Sequence, residues 1–282
     1  MAELQLKVEW KFEEYLYEHL FNLNQPNLAV INIYKDNIKL DFPNSIFKYY
    51  SDSDWHLNAL EEGYFYFTHP EKLNDPFELL QNRHEIIVNN PHVKNRESLE
   101  KHRANLGICC FSLNNDNPVL WGNYTNNYRG FCVEYDLKLI PFNKNISWKA
   151  HVSYLKDYSA GNENLDKVIN AVRENSFLNE EQKRAFVFKL KMIFEYTWKQ
   201  DIWNYENEFR FVSIVSESFD RKVFFDQKVI KAIYVDHKLS MKNPELFLKL
   251  KSLKKEIYKN AKFYEMKPNP IGCKMHFNEI KE

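Results

Sequence analysis

Glu206, Glu208 and Arg210 stand at alternate positions in the stretch Lys199-Gln-Asp-Ile-Trp203-Asn-Tyr205-Glu206-Asn207-Glu208-Phe209-Arg210-Phe211. Side chains of an extended strand alternate between its two faces. Read as a strand from Tyr205, this stretch puts both carboxylates and the guanidinium on one face. Tyr205, Asn207, Phe209 and Phe211 then share the other. Such a pair suits acid–base work: Glu208 holds a substrate hydroxyl while Glu206 positions or deprotonates an attacking group. Crowding two carboxylates raises one pKa, and a guanidinium beside them opposes the rise. The same spacing also suits a charge ladder on a solvated edge strand, and Glu-x-Glu alone does not choose between them.

Three further groups carry candidate chemistry. Lys48 with Tyr49 and Tyr50 sets a cation among aromatics, which suits a phosphate or a flat ring, or else a lysine stem lying over core aromatics. Asn74-Asp75-Pro-Phe77-Glu78 is a turn whose acids either act chemically or cap the local backbone. Ser112 precedes Trp121 and Tyr124, which lie three apart on one helical face and read as core or as a stacking box. Ser112 has no evident His/Asp partner, so it does not read as an activated nucleophile. In a third reading Asp75, Glu78, Glu206 and Glu208 hold Mg²⁺ with Lys199 nearby, as in a nuclease; the Lys-to-Glu order is unlike the usual nuclease arrangement.

Composition narrows these options. The chain has 282 residues and only 6 glycines, none spaced as G-x-G. A dinucleotide-binding glycine turn and a phosphate loop are therefore absent. Aromatics make up 16% of the chain, and 39 basic residues balance 39 acidic ones. No global field favours nucleic acid or membrane. Locally, Ser240 to Lys267 carries eight lysines against three glutamates, either the solvated face of a helix or a weak nucleic-acid or partner patch. The four cysteines show no C-x-x-C spacing and the nine histidines form no recognised ligand pair, so no zinc site is expected. The N-terminus has no apolar signal core, and no apolar run reaches roughly eighteen residues. A soluble cytoplasmic protein is the expectation.

The elements that must position these residues read as follows. An amphipathic helix is expected over about Val8 to Leu23, then a strand at Ala29 to Ile33. Phe47 to Tyr50 is a strand, Ser51 to Asp54 caps a helix that Gly63 ends, and Tyr64 to Thr68 is a strand of aromatics. A polar helix follows near Asn95 to Ala104. Strands are expected at Ile108–Ser112, Arg129–Tyr135, Trp148–Tyr154, Asn207–Val215, Lys222–Phe225 and Val229–Val235, and a short helix at Pro118–Asn126. Asn164 to Lys199 is mostly helical, with Phe186, Leu190, Ile193, Phe194 and Thr197 on its buried stripe. A lysine-rich helix after Pro244 and a strand near Cys273 to Phe277 complete the reading. The fold class is α+β: a mixed or antiparallel split sheet with flanking helices. Residues 1–44 form an N-terminal extension and 45–282 a single domain.

In order, Lys48-Tyr-Tyr50, Tyr64-Phe-Tyr-Phe-Thr68, Asn74-Asp-Pro-Phe-Glu78, Cys110-Phe-Ser112, Pro118-x-x-Trp121-x-x-Tyr124, Gly130-Phe-Cys-Val-Glu134, Val152-x-Tyr154 and Lys199-x-x-x-Trp203-x-Tyr205-Glu206-x-Glu208-x-Arg210 resemble the bacterial family called domain of unknown function 2971, which is similar to abortive-infection proteins of the AbiGi type. The resemblance covers about Lys48 to Leu239. It departs at Asp236, where a glycine is expected. The opening Lys48 strand, the helix ending at Gly63 and the Tyr64–Thr68 strand, followed late by Glu-x-Glu, also look like ADP-ribosyltransferase-like folds.

That resemblance implies NAD as substrate. Lys48 would contact its ribose or phosphate, with Tyr49 and Tyr50 beside it. Thr68 and nearby aromatics would flank the nicotinamide. Asn74, Asp75, Phe77, Ser112, Trp121, Tyr124 and Arg210 would line the site. Glu208 would bind the ribose hydroxyl and stabilise an oxocarbenium-like transition state, and Glu206 would serve a protein or nucleic-acid acceptor. The implied setting is bacterial phage defence or a toxin–antitoxin pair, with a partner protein from that system and no membrane. The rival expectation is a non-catalytic binding, antitoxin or sensor module using the same polar groove.

Overall fold

The computed structural model describes residues 5–23, 29–75, 105–140, 148–214, 220–271 and 274–281. The chain opens with strands β1 (Gln5–Phe12) and β2 (Tyr15–Asn22), not with a helix. The expected helix over Val8–Leu23 is thereby corrected. Tyr15, Tyr17, His19 and Phe21 are all buried at every second residue, a strand period that the bulky apolar content of the segment also allows to be misread as helical. Glu13, at φ 49°, turns the chain between the two strands. Strands β3 (Ala29–Lys35) and β4 (Ile38–Lys39) follow.

Strand β5 (Ser45–Tyr50) leads into helix α1 (Asp54–Glu62) and strand β6 (Tyr64–Tyr66). Ser53 caps α1 by accepting from the His56 amide, and Gly63 at φ 74° closes it in the left-handed conformation glycine tolerates. Pro76, Phe77, Glu78 and the expected helix at 95–104 lie outside the described residues. Strand β7 (Leu106–Ser112) precedes helix α2 (Pro118–Tyr124), which starts with Asn117 as cap and Pro118 in the first turn. Strands β8 (Phe131–Asp136), β9 (Trp148–His151) and β10 (Ser153–Leu155) lead to helices α3 (Tyr158–Glu174) and α4 (Glu180–Thr197). Next come β11 (Trp198–Gln200), a 3₁₀ turn at Asp201–Glu206, β12 (Glu208–Ile214), β13 (Lys222–Phe224) and β14 (Ile230–Asp236). Helices α5 (Leu239–Lys242) and α6 (Pro244–Glu256) precede β15 (Lys262–Asn269) and β16 (Lys274–Glu279). Strand β15 was not expected: its charged residues and Pro268 hide the alternation.

These elements gather into two compact units: one from the described residues within 1–41, 71–99 and 151–204, the other from those within 42–70, 100–150 and 205–282. In the first, β1 to β4 form an antiparallel meander. Trp10, Phe12, Tyr17 and Phe21 from its buried face share one core with Leu165 and Ile169 of α3 and Phe186, Leu190 and Phe194 of α4. Trp10 stacks on Tyr17 at 4.2 Å, and the Tyr17 hydroxyl accepts from Trp198 Nε1 at 3.0 Å. His19 lies wholly inside this cluster, with no hydrogen-bond partner on either ring nitrogen among the described residues.

The second unit is built on an eight-stranded sheet ordered β16-β15-β14-β8-β5-β7-β12-β9. Pairing is antiparallel from β14 through β8, β5 and β7 to β12, and between β15 and β16. β14 and β15 run parallel, which requires the crossover that α5 and α6 supply. The α+β class with a mixed, partly antiparallel sheet is as expected. On one face, Ile46, Tyr50, Phe111, Tyr135, Phe209, Phe211 and Ile233 pack against α1 and against Leu246, Leu250 and Leu253 of α6. Much of the chain's aromatic content is invested here: Phe65 alone meets Phe111, Tyr135, Phe211 and Phe225. A buried phenyl of this kind contributes about 2–3 kcal/mol of transfer free energy. The opposite face carries Phe47, Tyr49, Cys132, Glu134 and Tyr234 from the central strands, with Trp121 of α2 packed over it. The ladder is thin at one place: β5 meets β7 through the single pair Phe47–Ser112. No helix among the described residues is long and apolar enough to cross a membrane.

Candidate active site

Glu206 and Glu208 do not share a strand. Glu206 closes the 3₁₀ turn, Asn207 takes the left-handed conformation at φ 43°, and β12 begins at Glu208. Asparagine is one of the few residues that enters this region at low cost. The kink is stapled to the loop after β7. Ser112 Oγ donates to the Glu206 carbonyl at 2.8 Å, and the Leu113 amide donates to the Asn207 carbonyl at 2.9 Å. Asn207 Nδ2 donates to Asn114 Oδ1 at 3.3 Å, and Asn117 Nδ2 to the Tyr205 carbonyl at 2.7 Å. Ser112 therefore has a positioning role rather than a nucleophilic one. Sequence reading stopped at Ser112 and missed Asn114, Asn117 and Asn207. The available signal was an Asn/Asp-rich loop ending in a helix cap before proline.

Glu208 and Arg210, two residues apart on β12, do share a face. Arg210 Nε donates to Glu208 Oε1 at 2.8 Å and Nη2 to Oε2 at 2.9 Å, a fork in which both side chains are almost fully buried, at 5% and 1% exposure. β12 runs between β7 and β9, so the solvated edge ladder is ruled out. A buried pair of this geometry is tolerated because each charge compensates the other and the bidentate bonds satisfy the desolvated atoms. Glu206 is also buried, and its Oε1 accepts from the Tyr124 hydroxyl of α2. Burial and the Glu206 and Glu208 charges push that hydroxyl well above the usual tyrosine range. Glu208 thus receives a guanidinium and Glu206 a phenol hydroxyl.

Aromatic residues frame this corner. Tyr49 lies on the same sheet face as Ser112 and Glu208, because its neighbour-but-one Phe47 pairs with Ser112, which in turn pairs with Glu208. Its hydroxyl donates to the Asn114 carbonyl at 2.8 Å, and its ring meets Trp121 edge-on at 5.5 Å. Trp121 is fully buried and donates from Nε1 to the Asn115 carbonyl at 2.7 Å. Past α2, three consecutive residues, Asn126, Asn127 and Tyr128, are left-handed, and Tyr128 lies parallel to Trp121 at 6.3 Å.

Lys48, Tyr50 and Thr68 do not join the cluster. Lys48 alternates with Phe47 and Tyr49 and so points to the other face of the sheet. There its Nζ lies over Phe111 at 5.3 Å and Tyr50 at 5.8 Å and donates to the Cys110 carbonyl at 3.0 Å, where the β5–β7 ladder has opened. Tyr50 is core on that same side, with its hydroxyl bonded to that of Tyr135 at 2.8 Å. Thr68 bridges Ile108, four residues along β7 from Ser112 and hence about 13 Å away. Asn74 and Asp75 belong to the other compact unit, where Asn74 Oδ1 accepts from the buried Lys199 at 3.5 Å and Lys199 lies over Trp203 at 4.7 Å. Phe77 is outside the described residues. Among the described residues no three His, Cys, Asp or Glu side chains gather as a metal cage requires.

Residues 120–211 match the model of a family described as "Protein of unknown function (DUF2971)", about a third of the chain, which supports membership of that family. The matched stretch carries Trp121, Tyr124, Glu206, Glu208 and Arg210. No curated protein and no solved structure matches the chain.

Proposed function

We propose that this chain is a ribosyl-transferring enzyme: an NAD-using, ADP-ribosyltransferase-like effector of bacterial phage defence or of a toxin–antitoxin system. The observation that carries the reading is the pair of buried carboxylates, Glu208 locked to a guanidinium and Glu206 to a phenol. Two acids in unlike environments are the usual basis for dividing labour between them. Glu208, charge-compensated and oriented by Arg210, faces the anomeric carbon and stabilises the positive charge that develops as nicotinamide leaves. The C–N glycosidic bond breaks, and its electron pair departs with the nicotinamide. The acceptor's lone pair forms the new bond to the anomeric carbon, and its proton passes to Glu206, which Tyr124 holds in place. Tyr49 and Trp121 exclude water from the same corner. Lys48 has no part in this scheme, so the phosphates of NAD are held by other groups. The defence setting rests on the resemblance of the motifs to abortive-infection proteins.

The test is incubation with NAD labelled in the nicotinamide ring, wild type against Glu208→Gln. Release by wild type and a loss of at least a hundredfold in the variant are expected. Absence of release by wild type, with candidate protein and nucleic-acid acceptors supplied, refutes the enzyme reading.

One observation favours a second reading, a non-catalytic binding module: each carboxylate already holds a partner inside the protein, and the expected phosphate-binding lysine points to the other face. Calorimetric titration separates the two. A binding module takes up a small polar ligand or protein with no turnover, and Glu208→Gln weakens that uptake.

A further inference from the structure

We infer that the outward face of α6 is an electrostatic docking strip for a nucleic-acid phosphate backbone, independent of the carboxylate site. Leu246, Leu250 and Leu253 bury one side of this helix. At 3.6 residues per turn, Lys251 and Lys255 emerge on the opposite side, and Lys259 continues the row just beyond the helix end; all three are exposed. Three neighbouring cations are paired: Lys249 with Glu245 at 3.4 Å, Lys242 with Asp236 at 3.4 Å and Lys262 with Glu279 at 3.5 Å. Glu256, the remaining acid of the helix, accepts from Ser252 at 2.8 Å. Lys251, Lys255 and Lys259 make no ion pair among the described residues, in a chain whose 39 basic and 39 acidic residues balance overall.

The character of the row selects the partner. A membrane-surface helix needs a free apolar face, and the apolar face of α6 is in the core, leaving only Leu248 outside. A protein interface needs buried aromatic or arginine anchors, whereas lysine is depleted at such contacts. Repeated lysines one helical turn apart without anchors are what sequence-independent contact with a polyphosphate uses.

The test measures fluorescence polarisation of a labelled 30-nucleotide DNA single strand and its duplex against the full chain, at 50 to 200 mM salt. Three neutralised phosphates give a log–log salt slope of about −2.7 on the duplex, about a fortyfold loss of affinity over that range, and about −2.1 on the single strand, about a twentyfold loss. The triple variant Lys251→Gln/Lys255→Gln/Lys259→Gln is expected to lose that slope and at least tenfold in affinity at 50 mM. The matching arginine variant is expected to keep both. A net-charge control, Lys11→Gln/Lys39→Gln/Lys167→Gln, is expected to bind like wild type. These side chains are exposed, and thermal melting verifies that each variant folds. The inference is overturned if wild type binds neither probe at 50 mM, if the triple variant keeps the wild-type slope, if the control variant loses as much as the triple variant, or if polyglutamate binds through these lysines while the oligonucleotides do not.

Discussion

Replacing Arg210 by methionine strips a buried carboxylate of its cation while keeping most of the side-chain volume. Glu208 is 5% exposed and receives both guanidinium bonds, at 2.8 and 2.9 Å, so little water can take over. Removing one partner of such a pair costs about 3–5 kcal/mol, whereas replacing both with neutral groups costs far less. At roughly 2–4 °C per kcal/mol, Arg210→Met lowers the melting temperature of its unit by about 6–20 °C. The double variant Glu208→Gln/Arg210→Met recovers most of that loss. The stranded carboxylate binds a proton more tightly folded than unfolded, so Arg210→Met regains stability as pH falls, relative to wild type. Urea unfolding of the wild type, Glu208→Gln, Arg210→Met and the double variant, at pH 7 and pH 5, gives the coupling energy directly. A loss below about 1 kcal/mol for Arg210→Met, or a double variant worse than that single one, refutes the account of Glu208–Arg210 as a mutually dependent buried pair.

Other outcomes follow from single residues. His19 is neutral inside its aromatic cluster, with burial pushing its pKa down to about 3. The unfolded chain therefore binds the extra proton first, and stability is fully present above about pH 6.5 and lost as pH falls toward 3. His19→Phe removes that share of the acid sensitivity, visible as a flatter plot of unfolding free energy between pH 6.5 and 4. A β-carbon on Gly130 would lie 2.0 Å from the Tyr50 carbonyl oxygen, so Gly130→Ala forces the backbone apart and lowers the melting temperature sharply. Gly122→Ala, within α2 where a β-carbon meets no other described side chain or strand within 4 Å, stabilises by the helix propensity gained, about 1 kcal/mol. Tyr124→Phe leaves the fold intact and reduces nicotinamide release about tenfold or more by removing one hydroxyl that positions Glu206, read as a fall in kcat with little change in KM.

Much of the second unit was legible because its signals are local. The Ser53 cap, the Gly63 stop, the Asn117-Pro118 start and the alternating runs at Phe47–Tyr50 and Phe131–Tyr135 each announce themselves within a few residues. The N-terminal strands were hidden because aromatic residues at Trp10, Tyr15, Tyr17 and Phe21 fit a helical stripe almost as well as a period of two. The site was partly legible for a related reason. Glu208 and Arg210 follow strand alternation, but Glu206 is placed by a left-handed Asn207 stapled by Ser112, Leu113, Asn114 and Asn117, a long-range set of contacts that no local pattern announces. Alternation also decides Lys48. Its neighbours Phe47 and Tyr49 face Glu208 across the register, so the lysine does not, although a motif with no register attached places all three together.

The single Phe47–Ser112 pair makes the large sheet two leaves held by one stitch. β16, β15, β14, β8 and β5 form one leaf, and β7, β12 and β9 the other. Backbone groups along the opened stretch must find side-chain partners, and Lys48 on the Cys110 carbonyl is one such repair. Mechanically the joint is expected to be more compliant than the ladders it connects, because a change of splay there breaks one pair rather than many. Glu208 and Arg210 ride on the smaller leaf and Tyr49 on the larger. Amide exchange is expected to divide along that line, with the β7–β12 ladder and the β5–β8 ladder opening as separate cooperative blocks.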